Sequence, residues 1–128
     1  AKKMLHDSIE YAKARYQYGR QIGSFQAVTH MCSEMAAEIE PSLALFWYAG
    51  HALDTNSDDS RVVAGQSKSQ SSDVGLFVSR KAIGIHGGMG MTDLLGLHYW
   101  FKRIGLNRQL LGSPEIVRDE AAKLQSWC

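Results

Sequence analysis

Apolar residues Leu5, Ile9, Ala12 and Tyr16 recur at spacings of four, three and four, which predicts a helix over residues 2–18. Lys3, Glu10 and Lys13 fall elsewhere on that cylinder. Gly19 and Gly23 bracket a turn, and Ser24 offers an N-cap to a second helix. That helix carries the stripe Val28, Cys32, Met35, Ile39, Leu43, Trp47 and Gly50, with Pro41 inside it as an expected kink or break. Residues 54–60 are polar and predict a loop. Residues 61–85 are rich in serine, but a face of Val63, Ser67, Ser71, Val74, Phe77, Val78 and Ile85 predicts a helix against which a neighbour packs closely. A glycine-rich loop over 86–93 and a mixed segment over 94–110 follow. Ser113, Pro114 and Glu115 then mark a helix start by cap, first position and first-turn charge. No sustained period-two pattern appears, so the fold class is all-α, as a four-helix up-and-down bundle over residues 1–128.

Composition narrows the functions available. The chain has 128 residues, room for one domain with its own core. Fourteen Lys and Arg against thirteen Asp and Glu give a net charge of +1, so no electrostatic argument favours a nucleic-acid partner. The most apolar run, 43–53, is too short to cross a bilayer, so no membrane association is expected. Cys32 and Cys128 form no framework, and a reduced cytoplasmic setting (the mitochondrial matrix in a eukaryote) is the simpler expectation. Starting without Met, in the middle of a helical pattern, the chain reads as a piece of something longer.

Chemistry-bearing constellations are sparse. Five histidines show no i, i+4 pair and no cysteine partner at zinc spacing, so no metal is expected. The serines lack a nucleophile elbow, and neither cysteine sits in a catalytic signature. The run His86-Gly87-Gly88-Met89-Gly90 fits a tight interhelical turn better than a phosphate cradle, because no G-x-G-x-x-G spacing and no preceding strand accompany it.

Five ordered segments change this picture. Residues 11–26, YAKARYQYGRQIGSFQ, resemble the Y-x-x-x-R-x-Q-F-G-x-x-I-x-x-x-Q signature of acyl-CoA dehydrogenases. Lys68 followed by Asp73 resembles the family's A-K-x-x-x-x-D helix, and residues 85–92, IHGGMGMT, resemble its I-H-G-G-x-G-x-T loop. Phe101-Lys102-Arg103 and residues 111–116, LGSPEI, resemble the closing segments, the latter as E-G-T-x-Q-I. The resemblance implies the C-terminal helical domain of a flavoprotein that oxidises the Cα–Cβ bond of acyl-CoA thioesters, without the N-terminal helical and middle β domains. It implies FAD as cofactor and assembly as a homo-oligomer or a heteromeric acyl-CoA dehydrogenase subunit.

By that resemblance Arg15 meets the FAD pyrophosphate of a neighbouring subunit, a task suited to a planar guanidinium fork. Gln17 and Tyr18 flank it, Gln26 lies near the adenosine half, and Gly87, Gly88 and Ser113 complete the cofactor-binding set. Departures matter equally. Leu111 stands where the family's catalytic glutamate usually falls, so no catalytic residue is assigned and the chain is expected to be inactive alone. Gly84 replaces a common glutamine, and Glu115 places a carboxylate where it should weaken a doubly anionic cofactor. The alternative function is a non-catalytic assembly subunit or a free-standing helical module.

Overall fold

The computed structural model describes residues 1–127, so any pairing of Cys128 lies outside the described residues. The expected all-α bundle is present. Helix α1 (Lys2–Ala14) is followed by a small hairpin, β1 (Tyr16–Gln17) and β2 (Arg20–Gln21). Then come α2 (Gln26–Asp54), α3 (Ser60–His86), α4 (Leu97–Gln109) and the short α5 (Pro114–Leu124). Helices α1 to α4 run up and down, and α5 lies against α3.

Helix α3 is the axle of the bundle. Its local propensity is weak, and small residues compensate by admitting neighbours. A Cβ on Gly75 would stand 3.2 Å from Ile104 of α4, and one on Gly65 3.2 Å from Val117 of α5. The serines bond back to their own helix: Ser72 donates to the Lys68 carbonyl at 2.8 Å and Ser79 to the Leu76 carbonyl at 2.9 Å. Around this axle Met4, Met35, Ile39, Val74, Val78, Ala82, Ile85 and Leu97 form the core.

Several expectations are corrected. Helix α1 stops at Ala14 rather than Tyr18, because Arg15 turns to extended geometry and a hairpin begins. Tyr18 and Gly19 both have positive φ, 54° and 77°, the pattern of a tight two-residue hairpin turn. The buried stripe of α1 is Met4, Ser8 and Ala12: Ala12 is as expected, whereas Met4 and Ser8 take the core places expected of Leu5 and Ile9, which are half-buried, and Tyr16 lies beyond the helix. Ser24 does not cap α2: Phe25 holds that position, and the Ser24 hydroxyl donates to the Gln21 carbonyl at 2.7 Å. Pro41 sits inside a single 29-residue helix and does not split it. Trp47, Ser71 and Phe77 lie on exposed surface instead of the core. The mixed segment 94–110 resolves into α4, begun by Gly96 in the left-handed region at φ 64°.

Candidate functional site: a cleft beside the glycine turn

The C-terminal end of α1 and the C-terminal end of α3 meet at a cleft of about 420 Å³. Its lining includes Tyr11, Arg15, Gln17, His86, Gly87 and Gly88. Residues separated by seventy positions are brought together because α1 packs alongside α3 and both end at this level. Arg15 is the residue at which α1 stops, so its side chain leaves the helix where the hairpin turns back. The Ile22 amide donates to the Arg15 carbonyl at 2.8 Å and closes the hairpin base. Arg15 is exposed and has no ion-pair partner among the described residues.

The glycine turn forms the opposite wall as a 3-10 segment, Gly87–Met91. Gly87 has φ 58° and ψ −143°, a conformation that side chains resist. Gly88 has no positive φ, and a Cβ built there meets nothing within 4 Å. Gly88 therefore keeps open space that the fold itself does not use. Gly90 differs, since its Cβ would press on His86 at 3.1 Å and on the Ile83 carbonyl at 3.3 Å.

His86 was missed as a site residue. It is 6% exposed, its Nδ1 lies 2.8 Å from the Ala82 carbonyl, and its ring stacks on Tyr11 at 4.4 Å between centroids. The sequence signal for it is its place as the fixed histidine of the I-H-G-G motif, at the end of the helix just before the glycines.

The remaining expected residues lie elsewhere. Tyr18 is 92% exposed at the hairpin tip, edge-on to Phe25 at 6.2 Å. Gln26 opens α2 on exposed surface. Ser113 sits at the opposite end of the bundle, at the start of α5, without a side-chain cap bond. None of the three lines the cleft.

A larger cleft of about 540 Å³ lies at that opposite end, among α2, α3 and α4. It holds none of the cofactor residues assigned from the sequence. Beside it stands the loop that carries Leu111. Lys68 Nζ donates to the carbonyls of Arg108 at 2.8 Å and Gly112 at 2.7 Å, tying off the last turn of α4. Arg108 pairs with Glu115, and Arg118 with Asp73. Leu111 itself is 94% exposed at φ 60°.

The Ser113 hydroxyl, Glu115's own backbone amide and the Arg108 guanidinium hold the Glu115 carboxyl at about 2, below its usual 4.5. Glu115 lies outside the cleft that holds Arg15, and its charge is met by Arg108. A carboxyl depressed on folding stabilises above its unfolded value, and that contribution is lost as pH falls from about 4.5 to about 2. The stability difference between the unaltered chain and Glu115→Gln should therefore shrink across that window, as followed by urea midpoints.

The bundle and its open end turn define a helical domain of the acyl-CoA dehydrogenase class. Residues 1–124 match the family model "Acyl-CoA dehydrogenase, C-terminal domain", and the chain belongs to that family. Acyl-CoA dehydrogenase IpdE2 of Mycobacterium tuberculosis is 37% identical over 120 residues, covering 92% of this chain and 36% of that protein. The CarC subunit of the caffeyl-CoA reductase–Etf complex of Acetobacterium woodii is 34% identical over 90 residues, covering 70% and 24%. The FAD complex of PigA superposes with a TM-score of 0.91 at 27% identity, over 98% of this chain and 32% of PigA. Butyryl-CoA dehydrogenase from Megasphaera elsdenii shares the fold with a TM-score of 0.93 at 23% identity, over 98% and 32% of the chains. This chain thus spans about a third of the length of such relatives. Among the described residues no helix is long and apolar enough to cross a membrane, and no cluster of His, Cys, Asp or Glu is built to hold a metal.

Proposed function

We propose that this domain holds the diphosphate and adenosine part of FAD within an acyl-CoA dehydrogenase assembly, and contributes no catalytic base of its own. The observation that carries this is Arg15, a cation without an acid partner, sharing one cleft with the open backbone at Gly87 and Gly88. A guanidinium beside a glycine turn that no side chain covers suits a diphosphate by charge and by close approach. Gln17 adds an amide to the same wall. FAD would supply hydride acceptance in the oxidation of an acyl-CoA thioester, while these residues bind and orient it. Leu111 is a hydrocarbon at the base's position and takes no proton.

The same reading places the domain in the cytoplasm, or the mitochondrial matrix of a eukaryote. There it pairs with its own copies or with a heteromeric dehydrogenase subunit that carries the base. Phe46 and Trp47, exposed by 58% and 68% on α2, support such an interface. The non-catalytic assembly subunit is the second reading, and Leu111 is what favours it.

Three substitutions test the cofactor site. Arg15→Ala removes a charge-assisted contact of about 1.5–3 kcal/mol, so FAD or ADP affinity should fall roughly ten- to a hundredfold. Gly88→Val should fold normally, because its side chain enters unused space, yet block the ligand. Lys13→Ala breaks only an exposed pair with Glu10 and should be nearly silent. Binding is read by equilibrium dialysis and folding by circular dichroism. Unchanged affinity in both Arg15→Ala and Gly88→Val would remove the cofactor reading and leave the assembly subunit.

A further inference from the structure

Histidine 86 stands more than nine-tenths buried in the wall of the Arg15 cleft. A carbonyl oxygen can only accept, so the 2.8 Å contact with Ala82 requires that Nδ1 carry the proton. In the neutral ring Nε2 is then a bare lone pair. Nε2 has no hydrogen-bond partner among the described residues. Tyr11, stacked at 30° and 4.4 Å, fixes the ring plane, so the acceptor is held in place before any ligand arrives.

The other polar side chains of the cleft are Arg15, a pure donor, the amide of Gln17 and the Tyr11 hydroxyl. The Gly87 amide already donates to the Gly84 carbonyl, so the donors of the cleft come chiefly from these side chains. A site made mainly of donors recognises phosphate oxygens but cannot tell one phosphate ester from another. A fixed acceptor beside those donors adds that discrimination, because it rewards an N–H or O–H on the ligand.

We infer that His86 is a specificity-determining residue of this cleft: its Nε2 accepts a hydrogen bond from the adenosine portion of a bound adenine dinucleotide, beside the diphosphate held by Arg15. The inference rests on the cofactor reading above and goes beyond it by assigning a role to a side chain that does not touch phosphate. Two donors share the required chemistry, the exocyclic amine of adenine and a ribose hydroxyl. Either satisfies the lone pair, and analogues separate them.

The test uses the 128-residue chain with ADP and inorganic pyrophosphate as probes, followed by amide and histidine-ring nitrogen NMR. Before ligand is added, His86 should show the Nδ1–H tautomer. ADP should shift the amides of Gly87 and Gly88 and also move the Nε2 resonance, whereas pyrophosphate should shift only the amides. His86→Phe keeps the stack on Tyr11 and removes the acceptor, so ADP should bind about tenfold more weakly while pyrophosphate binds unchanged. His86→Gln returns an acceptor oxygen and should recover part of the loss. ADP lacking the 6-amino group, or ADP lacking the 2′-hydroxyl, should lose affinity to the unaltered chain but not to His86→Phe, and the one that does names the donor.

An Nε2–H tautomer, or equal ADP affinity in His86→Phe, would overturn the role of His86 while leaving the cofactor cleft intact. Failure of both probes to move Gly87 and Gly88 would overturn the cleft reading and this inference together. Should His86→Phe fail to fold, the tautomer and the Nε2 shift in the unaltered chain decide the matter.

Discussion

Lys68→Met should loosen the loop around Leu111 and lower the stability of the whole bundle by about 3 kcal/mol. The lysine makes two charge-assisted bonds, to the carbonyls of Arg108 and Gly112, at roughly 1.5–3 kcal/mol each before water replaces part of the loss. Methionine keeps the aliphatic stem and its packing, so the change isolates the ammonium. For a chain of this size the unfolding midpoint should drop by roughly 10 °C. The local signature is more telling than the total. Amide exchange in residues 108–113 should accelerate well beyond that in α2, because the last turn of α4 loses what ties it down. The cleft at Arg15 and Gly88 stands at the other end of the bundle and should bind its ligand as before, once the fraction unfolded is allowed for.

Met35→Ala is expected to cost still more. Met35 is 0% exposed, near the middle of the span where α2 faces α3 and α1, and its neighbours are Met4, Ile39, Val78 and Ala82 of the same core. Large-to-small changes at such sites cost roughly 2–5 kcal/mol, from lost transfer energy and from the cavity left behind. That is a large share of the ~5–15 kcal/mol of a typical domain. Urea titration should show a lower midpoint with an unchanged slope, the mark of lost stability without a change in what unfolds. Met35→Leu, nearly conserving volume, should cost less than about 1.5 kcal/mol. An unchanged midpoint in Met35→Ala would mean that α1 and α2 do not pack as described.

The elements that periodicity dictates were legible: two long helices, the short C-terminal helix with proline at its first position, and the small-residue face of α3. What failed was phase. In α1 Met4 and Ser8 join the expected Ala12 in the core, and a buried serine that bonds its own helix at 2.7 Å is invisible to a hydrophobic count. In α2 the expected stripe runs out at Trp47, which turns to the outer surface. The hairpin at 16–21 escaped because two-residue strands leave no period to read, and Tyr18 takes a positive φ that its side chain gives no reason to expect.

The candidate site was half legible. Arg15, Gln17, Gly87 and Gly88 share a cleft, although they follow two helices some seventy residues apart in the chain. Motif spacing grouped Tyr18, Gln26 and Ser113 with them, yet within one chain each lies away from that cleft. His86 is the reverse case. Its chemistry follows from a tautomer and a stacked ring, and both exist only once α1 and α3 are side by side.

Leu111 marks a position where the scaffold constrains its side chain very little. The residue is almost wholly in solvent, and the loop beneath it is anchored through backbone carbonyls by Lys68. The bundle neither senses nor depends on the identity of that side chain. Hydrocarbon and carboxylate are therefore interchangeable at this position as far as the fold is concerned, and the sequence there is left free to answer to whatever lies outside the bundle.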